Sequence, residues 1–81
     1  MKAGHVALRP GENVGLHATG EREEAIIVLR GKGEALVGRD RVVKIKKNEV
    51  LYISPQTDHD IKNTSQGILE YVFVTSLAQG L

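Results

Sequence analysis

Glycine and proline interrupt this chain every few residues, and that spacing constrains the fold more than any other feature. Nine glycines and two prolines are spread over 81 residues, and the short runs between them are rich in Val, Ile and Leu. Short branched runs bounded by turn residues are typical of β-strands. The pattern predicts strands at residues 3–9, 13–19, 24–30, 33–38, 41–46, 49–53, 58–63 and 68–75.

Residues 21–30 offer the best alternative to a strand, because their Glu and Arg opening resembles the start of a helix. The apolar run from Ala25 to Leu29 has no helical period, however, and it stops at a Gly-Lys-Gly turn. A strand is therefore the better prediction, and no helix of useful length is expected.

Short strands with no crossover helix leave a β-sandwich or a β-barrel as the fold. Closure into a double-sheet jelly roll also solves the problem of exposed sheet edges, on which other chains can pair. A chain of 81 residues has room for one domain. The expected fold is all-β, with one jelly-roll barrel over residues 1–81.

The hydrophobic core of such a barrel is thin. The chain has one Phe, two Tyr, no Trp and no Cys, so aliphatic side chains supply most of the burial and no disulfide can help. Strands 24–30 and 68–75 are nevertheless apolar on both faces except for Glu70, and Tyr71 and Phe73 share one face. If one face lines the barrel interior, the other needs a partner, and the pattern predicts a homodimer.

The charge balance excludes two classes of partner. Eleven basic and ten acidic residues leave a net charge of +1, which is no footprint for nucleic acid or an anionic membrane. No apolar run is long enough for a signal segment or a membrane span. We expect a cytoplasmic protein with a small-molecule ligand.

Two of the histidines lie where a metal site is conceivable. His17 and Thr19 share a face of one predicted strand, Glu24 opens the next strand, and His59 heads another. Two imidazoles and a carboxylate form the ligand set that holds Fe(II), Mn(II) or Zn(II) with positions left open. Spacing alone leaves open whether these residues converge, since histidines in strands are often only hydrogen-bonded structural residues.

The stretch from Gly11 to Gly31 resembles the first motif of the cupin family. That motif runs Gly, five residues, His-x-His, three or four residues, Glu, six residues and Gly. In this chain its places are held by Gly11, His17, Thr19, Glu24 and Gly31, with Thr19 where the second His is expected.

The stretch from Asn48 to Asn63 is similar to the second cupin motif. That motif runs Gly, five residues, Pro-x-Gly, two residues, His, three residues and Asn. His59 and Asn63 hold the last two places, whereas Asn48, Ser54 and Gln56 replace the first Gly, the Pro and the second Gly. The resemblance implies a cupin-type double-stranded β-helix, the jelly-roll barrel expected above.

The resemblance also implies a divalent transition metal, which would be Fe, Mn, Ni or Zn, held by His17, Glu24 and His59. Thr19 stands in the fourth ligand place, and its neutral hydroxyl is a poor ligand for such metals. Three protein ligands still make an open, catalytic type of site. A metal-free pocket is the alternative.

Further residues are expected around this site. Thr19, Gln56, Tyr71 and Phe73 are predicted to contact a substrate or to support the ligands. Glu23 competes with Glu24, because the flanking apolar run does not fix the facing of either residue; the six-residue gap to the next motif glycine favours Glu24.

His5 lies outside both motifs. A surface or interface position is predicted for it, and a role as a fourth ligand stays open.

Two functions from different classes are consistent with this pattern. One is a metal-dependent enzyme of the isomerase or dioxygenase type, and the other is a non-catalytic small-molecule binder. Apart from the ligands, only Glu23, Glu70 and Tyr71 offer a general acid or base.

Overall fold

The computed structural model describes residues 1–78 as two four-stranded antiparallel sheets. The strands are β1 Lys2–Leu8, β2 His17–Ala18, β3 Arg22–Arg30, β4 Lys32–Val37, β5 Arg41–Lys46, β6 Val50–Ile53, β7 Asp58–Lys62 and β8 Leu69–Leu77. One sheet has the order β1-β8-β3-β6 and the other β2-β7-β4-β5. This double-stranded β-helix confirms the predicted all-β jelly roll.

The segment that offered a helix is a central strand. β3 pairs with β8 on one side and with β6 on the other, so the prediction of a strand is confirmed. Residues 1–78 contain no helix, and no helix that could cross a membrane is found among them.

The predicted strand 13–19 is much shorter than expected. Only His17–Ala18 forms a regular ladder with β7, while Asn13 makes a single bridge to Lys62. The cause is Gly15, whose φ of 110° cannot continue a strand. Its amide donates instead to Oδ1 of Asp60 at 2.9 Å, so a side chain replaces the missing ladder partner.

The core lies between the sheets. Alternate residues of β3 and β8 point inward, which buries Ile26, Val28, Leu69 and Tyr71. Each fully buried aliphatic side chain contributes about 1.5–3 kcal/mol. The facing sheet and the sheet edges complete the cluster with Leu8, Ala35, Ile45, Ile53 and Ile61.

Asn63 explains why the second motif ends in an amide. Its side chain is fully buried, and its Nδ2 donates to the carbonyls of Leu8 at 2.8 Å and Gly67 at 2.7 Å. Its Oδ1 accepts from the amide and the hydroxyl of Ser65. One side chain therefore ties the end of β1 to the loop between β7 and β8.

Candidate metal centre

Three side chains from three strands converge; His59 is buried, Glu24 is half-buried and His17 is exposed. His17 and His59 are directly opposed where β2 pairs with β7, and their ring centroids are 4.0 Å apart at an interplanar angle of 61°. Glu24 reaches them from β3 in the other sheet. One ligand atom from each residue lies within 4.8 Å of the other two. This group has the composition and spacing to hold one metal ion.

Backbone hydrogen bonds set the tautomer of both imidazoles. Nδ1 of His17 is 2.8 Å from the carbonyl oxygen of Gly15, and Nδ1 of His59 is 3.1 Å from that of Thr57. A carbonyl oxygen only accepts, so each Nδ1 carries the proton and each neutral ring keeps a lone pair on Nε2. Contacts of this kind orient the histidines of metal sites.

Nε2 of His59 is a buried acceptor without a partner. The residue is 0% exposed, this nitrogen has no hydrogen bond within residues 1–78, and its nearest charged neighbour is Oε1 of Glu24 at 3.4 Å. Leaving such an atom unsatisfied costs about 1–3 kcal/mol.

Glu24 makes this position attractive to a cation. The Glu24 carboxylate raises the pKa of His59 above its ordinary value, against the burial of the ring, which lowers it. A donor set of two imidazole nitrogens and a carboxylate oxygen suits Mn, Fe, Ni and Zn ions. The residues present therefore fit the metal that the resemblance to the cupin motifs implies.

A small cavity of about 180 Å³ adjoins the group. Apart from the three candidate ligands, its walls are mostly apolar and are formed by Val6, Val14, Ile61, Tyr71 and Phe73. The two aromatic residues thus lie on the interior face, as their shared parity on the last strand predicted. The cavity has room for only a few non-hydrogen atoms beside a metal.

Tyr71 carries the hydroxyl group of this cavity. Burial, reinforced by the nearby carboxylates of Glu24 and Asp60, raises the pKa of Tyr71 to about 12. The phenol therefore stays protonated at neutral pH. It is able to donate a hydrogen bond, but it does not act as a base.

Two of the predicted site residues lie at the turn before β7, Gln56 within it and Thr19 hydrogen-bonded to it from the segment after β2. The Thr19 hydroxyl donates to the Ser54 carbonyl at 2.9 Å and accepts from the Thr57 amide at 3.0 Å. It therefore fastens the segment whose Thr57 carbonyl orients His59. Gln56 is exposed at the tip of that turn, outside the lining of the 180 Å³ cavity.

The structure also separates the competing residues. Glu23 points away from the group and accepts from the Tyr52 hydroxyl at 3.0 Å. His5 is on the outside of the barrel, where its Nε2 is 2.9 Å from Oε2 of Glu70. Glu70 also contacts Arg30 at 3.4 Å.

Asp60 is the supporting residue that the sequence did not reveal. Its carboxylate accepts from the Gly15 amide at 2.9 Å and from Nδ2 of Asn13 at 2.8 Å. The Gly15 carbonyl in turn accepts from His17. The only signal in the sequence was its position next to His59, which does not distinguish it from Asp58.

A larger depression of about 620 Å³ lies elsewhere, beside β4 and β5. Its charged lining consists of lysine and glutamate side chains, and its lysines are all exposed. It holds no histidine and none of the candidate ligands. The three candidate ligands line the smaller cavity together.

Two antiparallel sheets enclosing a His/Glu group define a small barrel with an interior metal-type site. The chain belongs to the cupin family, because the family model of the cupin domain matches residues 4–75. The resemblance carried by the two motifs is thus confirmed.

Solved cupin structures share this fold. A predicted oxalate decarboxylase from Thermotoga maritima is 30% identical, with a TM-score of 0.88, over 94% of this chain and 65% of its own. A cupin protein from Bacteroides fragilis is 21% identical, with a TM-score of 0.88, over 98% of this chain and 67% of its own. A cupin domain from Schizosaccharomyces pombe is 20% identical, also with a TM-score of 0.88, over 94% and 55%.

The chain therefore spans about two thirds or less of the length of these structures. A comparison with curated protein sequences finds no match.

Proposed function

We propose that this cupin domain binds one divalent transition metal and uses it to hold a small oxygen-donor molecule. The ligands are Nε2 of His17, Nε2 of His59 and the carboxylate of Glu24. The observation that carries the proposal is the buried Nε2 of His59, which has no partner within residues 1–78 although its ring is held in the metal-binding tautomer.

The size of this cavity limits the part of the bound molecule that lies in it. About 180 Å³ is well below the roughly 300–1,000 Å³ of pockets for drug-sized ligands. The name of the Thermotoga protein, predicted oxalate decarboxylase, points to a small carboxylate, and a molecule of that size suits the space.

The chain's own residues favour chemistry that needs no protein base. When bound, the metal supplies Lewis acidity or a site for dioxygen. Tyr71 stays protonated and is limited to donating a hydrogen bond, while Glu23 and Glu70 are engaged on the outer face. Of the two enzyme classes, an oxygenase needs a protein base less than an isomerase does.

One observation favours a metal-free binder as the second candidate. Glu24 and His59 already lie 3.4 Å apart, so a protonated imidazole would satisfy the carboxylate without a metal. The same cavity would then bind a neutral or anionic small molecule without catalysis.

Metal stoichiometry separates the two candidates. After loading with Mn(II), Fe(II), Ni(II) or Zn(II) and removal of excess ion, we expect about one metal per chain by elemental analysis. His17→Ala, His59→Ala and Glu24→Gln should each lose the metal, whereas His5→Ala, the matched control on the outer face, should keep it. Equal metal content in all four variants would contradict the assignment, and an empty parent protein would favour the binder.

A further inference from the structure

Two polar groups near the metal group are buried and have no partner. Within residues 1–78, these are Nη1 of Arg22 and Oγ1 of Thr75. Buried side-chain donors of this kind are rare, because an unsatisfied buried group costs about 1–3 kcal/mol. Neither residue belongs to the ligand set, and the sequence motifs did not point to them.

The sheet register places both groups beside Glu24. In β8, Thr75 lies opposite Glu24 of β3 on one side and opposite Lys2 of β1 on the other. Because side chains alternate along a strand, Arg22 is on the same face as Glu24, two residues nearer the start of β3. Thr75 likewise shares the interior face of Tyr71 and Phe73.

A second cavity, of about 310 Å³, joins these residues to the metal group. His17, Glu24 and Phe73 line both this cavity and the smaller one. The remaining walls are formed by Lys2, Ala18, Thr19, Arg22 and Thr75. The space next to the candidate metal therefore has a cationic side, in contrast to the apolar walls of the smaller cavity.

Arg22 has no structural ion pair that would explain it. No carboxylate of residues 1–78 lies within 4.0 Å of its guanidinium, although Glu24 is on the same face. Glu23, its neighbour in sequence, is engaged by Tyr52 on the outer face. Arg22 thus lines the second cavity without an ion pair among residues 1–78.

We infer that Arg22 and Thr75, with Lys2 at the rim, form a carboxylate-binding subsite. A planar guanidinium matches a carboxylate with two parallel hydrogen bonds, and the Thr75 hydroxyl supplies a third donor. The substrate class is a small carboxylic acid with a second oxygen group that reaches the metal. This inference rests on the proposed function, and it names the ligand chemistry of that site.

Titration of small acids tests the subsite. Oxalate, malonate and succinate are added to the Zn(II)-loaded and metal-free chain, with binding measured by calorimetry and metal content checked afterwards. At least one acid should bind the loaded protein. Arg22→Gln should weaken it by about tenfold or more, the size expected for a lost charge-assisted hydrogen bond. Thr75→Val, which keeps the shape, should weaken it by roughly threefold to tenfold.

Control variants distinguish a failure of the carboxylate subsite from a failure of the proposed metal site. Arg41→Gln, at the exposed start of β5, should bind metal and acid as the parent does, and Arg22→Gln should keep its metal. Equal binding of the acid to the parent and to Arg22→Gln would show that the subsite is wrong. So would the absence of acid binding to both proteins, whether metal is loaded or not. If no metal binds but the acid still depends on Arg22, the subsite is supported and the metal proposal fails.

Discussion

At the scale of single residues, the site depends on the backbone carbonyls that orient the ligands as much as on the ligands themselves. Nδ1 of each imidazole donates a hydrogen bond to a backbone carbonyl, that of Gly15 for His17 and that of Thr57 for His59. The motif spacing predicted which histidines to consider. It did not predict these carbonyl contacts, because they depend on the local turns rather than on residue type.

Asp60 offers the clearest test of this support. Replacing it with Ala removes the acceptor for Gly15 and Asn13, so the carbonyl that orients His17 is released. We expect metal affinity to fall by about 10–100-fold, as for other residues that orient ligands. Asp58→Ala is the matched control on the same strand, since within residues 1–78 the Asp58 carboxylate accepts only from the exposed Arg39.

Calorimetric titration with Zn(II) measures the metal affinity of both variants. Equal affinity in Asp60→Ala and Asp58→Ala would show that the Gly15 carbonyl needs no help from Asp60.

Replacing Gln56 with glycine should stabilise the fold. Gln56 stands where the second motif has Gly, and its φ of 58° shows that the backbone still adopts the left-handed conformation of that Gly. The left-handed conformation costs a non-glycine residue about 1–2 kcal/mol of folding free energy. Substitution by Gly recovers only part of this, because Gly has more conformational freedom in the unfolded chain. Gln56→Gly should raise the free energy of unfolding by about 0.5–1 kcal/mol.

Urea unfolding measures the change. Gln66→Gly, at another exposed loop position, should be neutral or destabilising because its φ is not in the left-handed region. Asn48→Gly should gain less than Gln56→Gly, since Asn tolerates its φ of 72°. A loss of stability in Gln56→Gly would contradict this explanation.

At the scale of elements, the sequence predicted the number and order of strands but not all of their bounds. Alternation and turn residues located β4 and β5 within one residue of their limits. They failed at 13–19, where the pairing breaks at Gly15 and Asp60 replaces a backbone partner. Long-range hydrogen bonds of that kind have no local signature in a single sequence.

The sequence predicted which side chains face the barrel interior on some strands but not on others, because facing also depends on pairing with distant strands. The parity of Tyr71 and Phe73 is visible along one strand, and the structure agrees with it. Glu23 and Glu24 lie beside an apolar run without alternation, so only the register of β3 with its neighbours separates them.

Replacing Gly31 with alanine tests whether the turn between β3 and β4 requires glycine. The φ of Gly31 is 80°, and a Cβ built there would meet the Ile68 carbonyl oxygen, with Cα of Leu69 at 3.2 Å. Gly31→Ala therefore combines strain with a backbone clash, and we expect a loss of about 3 kcal/mol or more. Thermal unfolding measures it.

Gly20→Ala is the control for strain alone. Its φ is 61°, but nothing lies within 4 Å of the added Cβ, so the loss should be about 1–2 kcal/mol. Similar losses in both variants would mean that the β8 backbone yields at Gly31.

At the scale of the whole molecule, the β1-β8-β3-β6 sheet leaves an apolar patch on its outer face. The central strands present Ala25, Ile27, Val72 and Val74 there, none of them fully buried. This is the second face of the doubly apolar strands noted in the sequence. We propose that another copy of the chain covers it, since two-fold pairs are the commonest oligomers.

Light scattering at micromolar concentration checks this proposal. We expect a mass of twice the 8.8 kDa chain, and Val74→Lys should give the monomer. Val42→Lys, at a 59% exposed position on β5 of the other sheet, is the control and should stay dimeric. A monomeric parent protein would contradict the dimer.

In the proposed metal centre, His17 and His59 bind the metal through Nε2 while Nδ1 of each ring stays hydrogen-bonded to the backbone. Long-range ¹H–¹⁵N NMR of the imidazoles during titration with Zn(II) tests it most directly. We predict that the Nε2 signals of His17 and His59 shift together at about one equivalent, that both Nδ1 atoms stay protonated, and that His5 does not change. Ligation through Nδ1, or shifts at His5 that match those at His17 and His59, would contradict the account.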